Sequence, residues 1–87
     1  MKTIHKYPLI CGNKPQVIFM KQDAKILCVH NHHDMPCFWA EVNDQKPDVQ
    51  RTFVVYTTGE PIDQSLHLQY LGSAIGYGEV WHIYEVL

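Results

Sequence analysis

Glycine, proline and short polar clusters divide this chain into apolar runs, each of strand length and too short for a stable helix. Ile4 to Leu9 is the first run, closed by Gly12-Asn13-Lys14-Pro15. Gln16 to Met20 is rich in β-branched and aromatic residues, which favour a pleated backbone. Ala24 to His30 and Pro36 to Val42 flank the polar cluster Asn31-His32-His33-Asp34, and predict a hairpin with a loop of about four residues. After the solvated stretch Asn43 to Asp48, Val49 to Thr58 reads as a long strand stopped by Gly59-Glu60-Pro61. Gln69 to Ile75 and Glu79 to Leu87 form a last pair around Gly76-Tyr77-Gly78. Ile62 to His67 admits one short helical turn, with Asp63 or Ser65 as its cap. The fold class that follows is all-β: a small antiparallel sandwich or barrel of about seven strands in a single domain, residues 1–87.

Alternation within the runs adds a constraint. In the last strand Trp81, Ile83 and Leu87 share one face, and Val80, Tyr84 and Val86 the other. In the fifth, Phe53 and Val55 oppose Val54 and Tyr56. A sheet with one wet face alternates apolar with polar, and these strands do not. Two sheets must therefore pack together, or a second subunit must cover a face; both are expected. With 87 residues the chain buries only about 60–65% of its unfolded surface, so self-association is the expected aid to stability.

Composition narrows the function classes. The formal net charge of −2 is too small for a footprint on duplex DNA or an anionic membrane. Lys2, His5 and Lys6 interrupt the N-terminal stretch, which fits neither a signal peptide nor a membrane span. Cys11, Cys28 and Cys37 are an odd set, which points to reduced thiols, with Cys28 and Cys37 expected in the core.

Three constellations carry chemistry. His30, His32 and Cys37 are metal-ligand types, and His30 and His32 share a strand face, while His33 points elsewhere. The set lacks the two separated ligand pairs of a structural zinc site, so neither a metal nor any other cofactor is assigned. The second would pair Cys37 with a histidine as a nucleophile, but no nucleophile elbow, phosphate loop or paired acidic motif is present, and the chain reads as a binding module, not an enzyme. The third constellation is aromatic. Trp39, Tyr56, Tyr70, Tyr77, Trp81 and Tyr84 are interleaved with Arg51, His67 and His82. Rings of this kind stack on a nucleobase, with Arg51 as the best anion receptor. Trp39, Trp81 and Tyr84 are the candidate stacking residues, and Arg51, Thr58 and His82 the candidate polar contacts.

The segments Lys6-Tyr7-Pro8-Leu9, Ala24-Lys25-Ile26-Leu27, Pro36-Cys37-Phe38-Trp39-Ala40, Thr58-Gly59-Glu60-Pro61-Ile62, Tyr70-Leu71-Gly72-Ser73 and Val80-Trp81-His82-Ile83-Tyr84-Glu85 occur in that order. Together they resemble a family of short proteins of unknown function encoded mainly by bacteriophages and prophages. The usual family form has a tight glycine or asparagine turn before Pro-Cys, where this chain has His32-His33-Asp34-Met35. The resemblance carries no activity. It implies a setting: the cytoplasm of an infected bacterial host, where small phage proteins serve as accessory or counter-defence factors. The resulting expectation is a self-associating module that sequesters a nucleotide-derived immune signal, of cyclic ADP-ribose or cyclic oligonucleotide type. The alternatives are a protein-interaction module, acting as a host-enzyme inhibitor or assembly accessory, and a domain stabilised by metal on His30, His32 and Cys37.

Overall fold

The computed structural model describes residues 1–87 as seven strands and no helix. They are β1 (Lys2–Pro8), β2 (Gln16–Lys21), β3 (Lys25–His32), β4 (Met35–Asn43), β5 (Asp48–Thr57), β6 (Leu68–Gly76) and β7 (Glu79–Val86). A three-stranded sheet runs β1-β4-β3 and a four-stranded sheet β2-β5-β7-β6, all neighbours antiparallel. Face to face they make the expected sandwich. No helix is long and apolar enough to cross a membrane.

The two-sided strands resolve as their alternation requires. Phe53 and Val55 of β5, with Trp81 and Ile83 of β7, point inward to meet Phe38, Ala40 and Val42 of β4. Phe38 stacks on Tyr7 of β1 at 5.1 Å and meets Phe53 across the sheets at 4.7 Å. Each buried valine, isoleucine or phenylalanine among these stabilises the fold by about 1.5–3 kcal/mol. Asn31 of β3 donates its side-chain amide to the Ile75 carbonyl of β6 at 2.8 Å, tying the two sheets together at one edge.

Three details differ from the sequence expectation. The β3–β4 loop has two residues, since His32 pairs directly with Met35. His33 and Asp34 take φ of 52° and 61°, the turn whose twist matches a hairpin, and Asn31 Oδ1 accepts the Asp34 N–H at 2.9 Å. Residues 62–67 do not form a helix: Asp63 accepts the Ser65 amide and hydroxyl at its side chain and the Leu66 N–H at its carbonyl (3.3 Å), a single capped turn that stops where Leu68 enters β6. Cys28 is exposed: it pairs with Trp39 on the outer face of its sheet, just after a register shift at Leu27. Cys37 is buried, as expected.

Strands β5 and β6 both pair antiparallel to β7, so they run parallel, and the chain must pass from one side of β7 to the other. Residues 58–67 make that crossing. The Asp63 N–H donates to the Tyr56 hydroxyl at 3.3 Å, which sets the crossing segment against the outer face of the four-stranded sheet. This segment builds the wall of the candidate site.

Candidate functional site

The six candidate contact residues fall in three places. Thr58, His82 and Tyr84 lie together on the outer face of the four-stranded sheet. Trp81 and Arg51 point inward from the same sheet. Trp39 is on the outer face of the other sheet, where His30 and His32 meet it edge-on at about 6 Å. Trp81 is 1% exposed and cannot stack on a ligand. Arg51 donates from Nε and Nη2 to the two carboxylate oxygens of Glu85, each at 2.6 Å, and from Nη1 to the Ala24 carbonyl at 2.7 Å. Each of its three guanidinium nitrogens is thus engaged within the protein, and the side chain is 23% exposed. The Glu85 hydrogen bonds hold the Arg51 pKa above its ordinary value.

The three residues that do meet line a groove of about 230 Å³ with Tyr56, Thr57, Gly59, Glu60 and Ile62. Alternation along β5 and β7 sends Tyr56, His82 and Tyr84 to the same face, and the register pairs Tyr56 with His82 directly. Tyr84 sits edge-on between Tyr56 at 5.9 Å and Tyr70 at 5.1 Å. His82 is fixed at both ring nitrogens: Nε2 lies 2.9 Å from Thr58 Oγ1, and Nδ1 lies 3.0 Å from the Tyr70 hydroxyl. In a neutral ring one nitrogen donates and the other accepts, so one of the two hydroxyls accepts from the ring and the other donates to it. Gly59 has φ of 93°, which a β-branched or bulky residue would resist, and this lets the chain turn off β5 towards the wall.

Glu60 supplies the groove's charge. Its Oε1 accepts the Thr57 amide at 2.8 Å and the Thr57 hydroxyl at 2.6 Å, and its Oε2 accepts Asn13 at 3.1 Å. The Thr57 hydrogen bonds hold its pKa below the ordinary carboxylate value. The wall is thus negative, and no lysine or arginine lines the groove. A phosphate would meet repulsion here and find no cation.

The histidine cluster on the opposite sheet is arranged differently. His32 Nδ1 lies 3.2 Å from Lys6 Nζ, and the His32 and His33 rings are 4.1 Å apart. Lost hydration, then the Lys6 and His33 charges, lower the His32 pKa. Burial raises that of the Cys37 thiol. No group of three or more His, Cys, Asp or Glu side chains is placed to hold a metal ion, so His30, His32 and Cys37 do not form a ligand set.

A family model described as a domain of unknown function (DUF7352) matches residues 1–87. The chain belongs to the DUF7352 family. No curated protein and no solved structure gives a significant match. Within this DUF7352 domain, sequence reasoning passed over Tyr56, Tyr70 and Glu60 as site residues. The aromatic cluster had included both tyrosines, but their place beside His82 depends on strand pairing across β5, β7 and β6. Glu60 gave no signal beyond its position in a Gly-x-Pro turn.

Proposed function

We propose that this protein is a non-enzymatic binding module that captures an uncharged planar heterocycle in the groove between Tyr84, His82 and the 58–67 crossing. The observation that carries the reading is His82, held at both nitrogens by Thr58 and Tyr70 beside an aromatic floor. A ring entering the groove would lie against Tyr84 and hydrogen-bond to the Thr58 hydroxyl, which His82 orients and which keeps capacity beyond that one contact. The volume is below the roughly 300–1,000 Å³ of sites for drug-sized ligands, which suits a single base or nucleoside.

The ligand class follows from charge. Glu60 repels phosphate and Arg51 is engaged by Glu85, so any phosphates of a nucleotide-derived molecule would point out to solvent. In this reading the protein acts by sequestration, holding the base of a nucleotide-like signal without turning it over. The resemblance to phage-encoded proteins gives the biological form of the proposal: a counter-defence factor in the host cytoplasm that removes a cyclic nucleotide signal by its base.

Thermal unfolding with a panel of nucleosides and their cyclic and linear phosphates tests this. A ligand at 100 times its Kd stabilises by about 2.7 kcal/mol. The expected result is a rise in Tm for at least one nucleoside, no larger for its phosphates, and lost in His82→Ala. The reading fails if no member of the panel raises Tm at saturating concentration, or if His82→Ala leaves the rise intact.

A further inference from the structure

The sandwich has four edge strands, and three of them carry features that discourage pairing with another chain. Strand β1 bears Lys2, His5, Lys6 and Pro8. Strand β3 has a register shift at Leu27 and bears Lys25. Strand β6 has a register shift at Leu71 and contains two glycines. Strand β2, Gln-Val-Ile-Phe-Met-Lys, has no proline and no register shift. Its single charge, Lys21, is tied to Asp48 at 3.0 Å.

The direction of its free backbone groups follows from the ladder. The Gln22 N–H donates to the Pro47 carbonyl at 2.8 Å, and residues 22 and 47 continue the β2–β5 register by one step beyond Lys21 and Asp48. Hydrogen-bonded and non-bonded pairs alternate in an antiparallel ladder. Gln16, Ile18 and Met20 therefore bond inward to β5. Val17 and Phe19 turn their N–H and C=O groups away from the sheet, and β5 is the only strand beside β2. The side chains of the same two residues are 53% and 63% exposed.

We propose that β2 pairs with β2 of a second copy, antiparallel about a two-fold axis at Ile18, joining the four-stranded sheets of two molecules into one continuous sheet. In that register Val17 lies opposite Phe19 of the second copy, and Phe19 opposite its Val17. Each pair exchanges two main-chain hydrogen bonds through groups that are free in the monomer. Both side-chain pairs are apolar and on the exposed face, so pairing removes the largest exposed apolar groups of this strand from water. Lys21 falls opposite Pro15 of the second copy, so no like charges meet.

Light scattering on the eluting wild-type protein at micromolar concentration should give twice the 10.1 kDa chain mass. Val17→Pro removes an N–H that β5 does not use, and Phe19→Lys places a charge in the contact. Each should raise the dimer dissociation constant by about tenfold or more while far-UV circular dichroism keeps the β signature. In a Cys11→Ser/Cys28→Ser background, Val17→Cys/Phe19→Cys should oxidise to a covalent dimer. The proposal is overturned if the wild type stays at a single chain mass up to millimolar concentration. It is equally overturned if both edge variants fold and remain dimeric, or if the cysteine pair gives no covalent dimer.

Discussion

Arg51 and Glu85 meet inside the sandwich as a two-armed ion pair, with both carboxylate oxygens 2.6 Å from guanidinium nitrogens. They sit one step apart on the diagonal between β5 and β7, with Phe53 opposite Glu85 in register. The guanidinium carbon lies 6.0 Å from the centre of the Phe53 ring, and Nη1 caps the Ala24 carbonyl. An arginine that the sequence offered as a ligand contact is thus a structural element of the core.

Removing one member of a mostly buried pair leaves the other charge without compensation. Glu85→Ala should lower unfolding stability by about 3 kcal/mol, read from urea denaturation. The double variant Arg51→Met/Glu85→Leu should recover most of that loss, because two apolar side chains leave no unpaired charge. If the single variant loses less than the double, the pair is not compensating buried charge.

Gly76 ends β6 against the indole of Trp81. A Cβ at this position would overlap the Trp81 ring and come within 2.8 Å of the Asn31 amide nitrogen. Neither neighbour can yield cheaply, since Trp81 is packed in the core and Asn31 bridges the sheets. Gly76→Ala should cost about 1–3 kcal/mol by overpacking, whereas an alanine at Gly12, where a Cβ meets nothing within 4 Å, would pay only for its positive φ. Parallel urea titrations of the two variants would separate crowding from backbone strain.

The 58–67 crossing is held by carboxylates, and its stability should depend on acid. Hydrogen bonds from Thr57 lower the pKa of Glu60 from its ordinary 4.5, and hydrogen bonds from Ser65 lower that of Asp63 from 3.8. The unfolded chain therefore takes up these protons at higher pH than the folded chain. The contribution is complete above about pH 4.5 and is lost as pH falls through the lower folded values. Thermal unfolding between neutral pH and pH 3 should show Tm falling below this point. Glu60→Gln should start lower at neutral pH and flatten the decline; an unchanged acid limb in that variant would show that Glu60 does not hold the crossing.

Much of the fold was legible because strand length, turn punctuation and alternation act locally. Each of the seven runs became a strand, and Phe53, Val55, Trp81 and Ile83, grouped by alternation, line the core between the sheets, while Val54 and Tyr56 on the other face of β5 are buried as well. The same alternation put Trp81 and His82 on opposite faces of β7, so the two could never serve one exposed site. The helical turn expected near residue 62 went no further than one capped turn at Asp63, because the chain is extended again from Leu68, where β6 pairs with β7. The β3–β4 loop closed to two residues because His33 and Asp34 accept positive φ, a tolerance that residue type signals only weakly.

The order of amino acids by itself determined the strand class, the two apolar faces and the need for a partner sheet, since these depend on period and on water. Only the tertiary structure decided which strands became neighbours. That choice brought Tyr70, Tyr84, His82 and Thr58 together, set the guanidinium of Arg51 against Glu85, and left Val17 and Phe19 at an open edge. Pairing joins residues that are distant along the chain, and its outcome depends on how well two whole sheets fill the space between them, which no local pattern records.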